Sequence, residues 1–97
     1  MSLDFAGFEW DAGNIEKCAK HGVSREEIET VLSGEPALRE DPFDRAVERR
    51  LRAIGRTPAG RYIFVVFTFR QSVGHWRIRP ISARYMHSRE AGHYEQS

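Results

Sequence analysis

Hydrophobic positions along this chain form two short helical stripes, followed by three runs with the two-residue period of β-strands. Residues 5–10 first place Phe8 and Trp10 on one face of a short predicted strand. Asp11 then suits the N-cap of a helix carrying Ile15, Cys18 and Ala19 on one stripe, with Gly22 as its stop. Ser24 and Glu27 form an S-x-x-E capping box for a second helix whose buried stripe is Ile28, Val31 and Leu32, ending at Gly34. The two helices are expected to pack as a hairpin. Residues 35–45 hold Pro36, Pro42, Glu35, Glu40, Asp41 and Asp44, which suits a mobile loop or at most an edge strand over 37–39.

Residues 47–54 alternate Val47, Arg49, Leu51 and Ala53 with Glu48, Arg50, Arg52 and Ile54, predicting a strand with one wetter face. A turn over 55–60 leads to 61–69, a β-branched and aromatic run without a breaker that predicts the central strand. After a turn at 71–74, residues 75–82 put Trp76 and Ile78 on one face and Arg77, Arg79 and Ile81 on the other, with Pro80 marking an edge or a bulge. Ser88 is the expected cap of a last helix over 89–95, with Ala91 and Tyr94 facing the sheet. Helices followed by strands indicate an α+β fold: a mostly antiparallel sheet with helices on one face and the other face open to a ligand. Arg50 and Arg52, or Arg49, would share that open face with Arg77 and Arg79. A one-residue slip in register would invert the set.

Ninety-seven residues make one domain, able to bury about two thirds of its unfolded surface without a disulfide or metal. Cys18 is the only cysteine, so neither an intrachain disulfide nor a thiolate zinc cluster can form. A reducing, cytoplasmic setting fits this. The start has no basic leader with an apolar core, and the longest apolar run, 62–67, is far too short to span a bilayer, so no membrane association is expected.

The net charge of +1 hides strong sorting. Residues 1–44 carry 4 Lys/Arg against 11 Asp/Glu, whereas 45–97 carry 11 Arg, no Lys and 3 Glu. Guanidinium groups bind phosphate bidentately and stack on bases, so the basic half points to nucleic acid. Pairing of these arginines with the acidic half explains the charges equally well.

Four blocks give a family resemblance: F-E-W-D (8–11), K-H-G-V-S (20–24), an E-R…A-I-G run with one extra residue of spacing (Glu48, Arg49, Ala53, Ile54, Gly55), and R-P-I-S-A-R-Y-M (79–86). Together they resemble the BrnT family over residues 8–94. Pro80 stands where an aliphatic residue often precedes I-S-A-R, and 75–79 is more basic than in many members. The resemblance implies a RelE-like fold and a type II toxin that acts as a small ribonuclease. It also implies a BrnA-like antitoxin of ribbon-helix-helix type, a heterotetramer with it, and repression of the shared operon through antitoxin-bound operator DNA.

Cleavage of RNA without a metal needs a base for the 2′-OH, cationic stabilisation of the phosphorane and an acid for the leaving 5′-oxygen. His21, at a helix end, is the first candidate for acid or base, with a helix C-cap as its alternative role. Glu48 is a second titratable candidate, and Arg77 and Arg84 are the candidate phosphorane clamps. Lys20, Arg49 and Arg79 are expected to bind substrate. No metal or other cofactor is expected, because the acids at 40–44 lack a companion ligand at metal spacing. His75, His87 and His93 read as turn or surface residues, Trp10 and Trp76 as core, and Cys18 as a small buried apolar group. The expected function is endoribonucleolytic inhibition of translation. The rival readings are a non-catalytic nucleic-acid-binding module or a co-repressor partner of a small DNA-binding protein.

Overall fold

The computed structural model describes residues 5–40 and 50–96. Glu48, Arg49, the start of the strand predicted over 47–54 and the end of the segment expected to be mobile (35–45) lie outside the described residues. The chain runs α1 (Ala12–Ala19), α2 (Arg25–Ser33), β1 (Ala37–Glu40), β2 (Leu51–Arg56), β3 (Tyr62–Ser72), β4 (His75–Tyr85) and α3 (Ser88–Gln96). The four strands form one antiparallel sheet in the order β1-β2-β3-β4. This is the α+β arrangement expected, with the edge strand at 37–40 included.

Both N-terminal helices start where the capping residues place them. The Asp11 carboxylate accepts the N–H groups of Gly13 and Asn14 while Asn14 Oδ1 accepts the Asp11 N–H; Ser24 and Glu27 exchange the same pair of bonds. The stripe of α2 is buried as expected. That of α1 is rotated: Ile15 is 37% exposed and Ala19 is exposed, while Asn14 and Cys18 face inward. The cause is a fully used amide, since Asn14 Nδ2 donates to the carbonyls of Glu9 (2.9 Å) and Pro80 (2.8 Å) and thereby fixes which side of α1 meets β4.

One sheet face carries Ala53, Ile63, Val65, Phe67, Ile78 and Ala83, and packs on Cys18, Val23, Ile28, Val31 and Leu32. Gly55 lies inside β2 rather than opening the predicted turn. A Cβ there would sit 2.6 Å from Val31 Cγ1, so the missing side chain lets α2 lie against the strand.

Residues 5–10 are not a strand of this sheet. They run parallel to the outer edge of β4 through Ala6 N–H to Trp76 O, Ile78 N–H to Gly7 O and Glu9 N–H to Ile78 O, with Gly7 at φ +148 interrupting the extended path. Trp76, expected in the core, is 52% exposed near the β3–β4 hairpin, beyond the reach of the helices.

Pro80 does mark a bulge. Val66 pairs with Ser82 and Phe67 with Pro80, which leaves Ile81 as the extra residue of β4. The shift exchanges odd for even numbering between the faces. Arg77 and Arg79, opposite Arg70 and Thr68, therefore share the open face with Arg84, opposite Phe64. Helix α3 also belongs to this face. Tyr94 packs edge-on against Tyr62 (5.2 Å between centroids) and Glu90 binds Arg84, so α3 walls one end of the open face instead of joining the other helices beneath the sheet.

Candidate active site on the open sheet face

Helix α1 lies along the edge of β4, and the turn that follows it carries His21 over the rim of the sheet. Gly22, at φ +84, permits that turn without a Cβ clash. Tyr85 holds it from below: its hydroxyl donates to Glu27 Oε1 (2.7 Å) and lies 3.5 Å from the Gly22 carbonyl. The bond to Glu27 keeps the Tyr85 hydroxyl protonated above its ordinary range.

His21, Arg52, Phe64, Val66, Ser82 and Arg84 line a recess of about 160 Å³. This is below the roughly 300–1,000 Å³ of ordinary small-molecule sites and is open to one side, which suits a phosphodiester on an extended strand better than an enclosed metabolite. Phe64 forms the floor, with the Arg84 guanidinium 4.4 Å and the Arg52 guanidinium 5.6 Å from its ring centroid. Two guanidinium groups, one from each neighbouring strand, thus approach one aromatic ring.

Arg84 is the more firmly placed of the two. Glu90 accepts two parallel bonds from it, Nη1 to Oε1 at 2.8 Å and Nη2 to Oε2 at 3.0 Å, and the Tyr85 carbonyl accepts a third at 3.3 Å. The Arg84 bonds, with the His87 N–H donating to Oε1 (3.0 Å), hold the Glu90 carboxyl down at about 2. The fork uses only part of the five guanidinium donors, so Arg84 retains capacity for a phosphate oxygen. A second recess continues past His21 and Arg84 and adds Arg61, His87 and Ser88. Arg61 stacks 3.7 Å over the Tyr85 ring.

The predicted site residues therefore separate. His21 and Arg84 meet. Arg77 is exposed on the same face opposite Arg70, six residues along β3 from Phe64 and hence about 20 Å away by strand rise. Arg79 gives its Nη1 to Asp11 (2.8 Å) and Glu9 (3.2 Å), tying the start of α1 to β4. Lys20 is exposed at the C-cap of α1, outside the recess. Glu48 and Arg49 are outside the described residues.

Phe64, Arg61, His87 and Glu90 are additions that sequence reasoning missed. The one local signal was the three-residue spacing of His87 and Glu90, which makes the helix-start bond and begins α3 one residue earlier than expected, at Ser88. Cys18 has no place in the chemistry, since burial pushes its thiol up to about 11. Among the described residues no group of three or more His, Cys, Asp or Glu is placed to hold a metal ion, and no helix is long and apolar enough to cross a membrane.

No curated protein matches the chain significantly. The model of the BrnT family, ribonuclease toxins of type II toxin-antitoxin systems, matches residues 10–90. That stretch contains both helices of the rim, all four strands, His21, Arg84 and Glu90, and the chain belongs to this family of toxins.

Proposed function

We propose that the chain is an endoribonuclease that cuts RNA at the recess between His21 and Arg84 without a metal and so inhibits translation. The supporting observation is the convergence of an imidazole from the α1–α2 turn with guanidinium groups from β2 and β4 around Phe64. In this reading the neutral member of the pair His21 and His87 takes the 2′-OH proton, O2′ attacks phosphorus, and the protonated member delivers a proton to the departing O5′. Arg52 and Arg84 stabilise the charge that grows on the non-bridging oxygens. The products are a 2′,3′-cyclic phosphate and a free 5′-OH.

Within a type II system the chain is held in check by an antitoxin, which we take to be a BrnA-like ribbon-helix-helix protein. That partner would form a heterotetramer with the toxin and carry it to operator DNA. Tight induction of the wild type beside His21→Ala and Arg84→Ala, with growth and total RNA followed together, tests the proposal. Growth arrest with RNA loss, relieved by either substitution, is the expected result. Normal growth and intact RNA with folded wild-type protein would refute it and leave the face to a non-catalytic binder.

A further inference from the structure

The proposed cleavage site is not the only recess beside α1 among the described residues. Lys17, Arg50, Arg70 and Arg79 line a third recess, of about 230 Å³, with Gly13 and Asn14 of α1 on its rim. Gly13 and Lys17, four residues apart on one side of α1, line this recess, and the turn that follows the helix carries His21 to the proposed cleavage site. Across the sheet, Thr68 is paired with Arg79 and Phe64 with Arg84. Four residues of β3 separate these rows, about 13 Å, which an extended single strand covers in a few nucleotides.

We propose that this recess binds a backbone phosphate of the RNA strand whose cleavage is assigned to His21 and Arg84, a few nucleotides from the bond that is cut. The inference rests on the ribonuclease reading for its ligand. Lys17 and three arginines converge on this recess, and the carboxylates of Glu9 and Asp11 both hold Arg79, fixing its guanidinium in advance of binding. The bulge at Ile81 is what brings Arg79 and Arg84 to the same face; in a regular strand they would point to opposite sides. A phosphodiester fits this better than an acidic protein segment does, because Arg79 stands on the same sheet face as Arg84, about 13 Å along β3 from the proposed scissile phosphate, within the span of a few nucleotides.

The test uses fluorescently labelled 2′-O-methyl oligoribonucleotides, which bind but cannot be cut, on the full chain and on folded Lys17→Gln, Arg70→Gln and Lys17→Arg. Each Gln variant should weaken hexanucleotide binding about tenfold, the loss of one charge-assisted contact. The dependence of log K on log salt should also become shallower by about 0.7. A dinucleotide, too short to reach from the cleavage site to the Lys17 recess, should change little, and Lys17→Arg should bind as wild type. Equal losses at both lengths, no loss at either, or loss of antitoxin binding with RNA affinity intact would each overturn the proposal. Binding is measured without cleavage, so a length-dependent loss in a chain that never cuts RNA would sustain the recess and refute the nuclease.

Discussion

Arg84 illustrates how the fold fixes the side chain to which the proposed chemistry assigns the phosphate. Its ion pair with Glu90 is 42% and 34% exposed at the two side chains, and exposed pairs contribute only about 0–1 kcal/mol. The two-point geometry therefore matters more for aiming the guanidinium than for holding α3. Glu90→Gln should leave a folded protein in which Arg84 is less well aimed, with kcat reduced by up to about a hundredfold and KM changed less. His21→Ala and Arg84→Ala should each cost about a hundred- to ten-thousandfold, as expected for a proton-transfer group and a phosphorane clamp; single-turnover cleavage of a defined oligonucleotide measures both. Glu90 also sets an acid limit. Its folded value of about 2 is below the ordinary 4.5, so its contribution to stability is complete above about 4.5 and disappears as pH falls through about 2. Urea midpoints between those limits should fall in wild type and stay flatter in Glu90→Gln.

At the scale of elements, the β3–β4 hairpin and the α2–β2 contact carry the sharpest constraints. Val73 and Gly74 make the hairpin turn with φ of 47 and 80, and Val73 is 94% exposed. A β-branched residue is strained at positive φ, where Asn-Gly is favoured, so Val73→Asn should raise stability by about 1 kcal/mol, read as a higher melting temperature. Gly55→Ala should do the reverse by about 1–3 kcal/mol, since its Cβ would push Val31 away from the strand. The starts of α1 and α2, the stripe of α2, the central strand and the bulge at Pro80 were legible because each rests on local chemistry: a cap, a period or a missing N–H. The rotation of α1 was not, since it depends on Asn14 reaching the Pro80 carbonyl 66 residues away. The placement of α3 was hidden for the same reason. Single residues of the site, His21 and Arg84, could be picked out, but their neighbours Arg52 and Phe64 follow only from strand register.

Across the whole molecule, the charge sorting acquires a shape. The acidic half supplies α1 and α2, which cover the apolar face of the sheet, whereas the arginines of β2, β3 and β4 populate the open face. The two halves meet where Arg79 binds Glu9 and Asp11. Arginines follow one another along the open face from Arg84 to Arg77, and RNA affinity should fall steeply with salt, by a slope of about 0.7 per phosphate contacted. Arg77, about 20 Å from Arg84, is too far to touch a phosphate held there, so its effect is expected in binding. Arg77→Ala should weaken RNA binding and flatten the salt dependence while kcat at saturating RNA stays near wild type, which steady-state kinetics at two salt concentrations would resolve.

The chemistry of the new RNA ends separates metal-free 2′-OH attack from its rivals. Purified protein should cut a single-stranded oligoribonucleotide equally well in excess chelator, leaving a 2′,3′-cyclic phosphate and a 5′-OH, and His21→Ala should not cut it. A 5′-phosphate product, cleavage that needs a divalent cation, or full activity in His21→Ala would contradict the account.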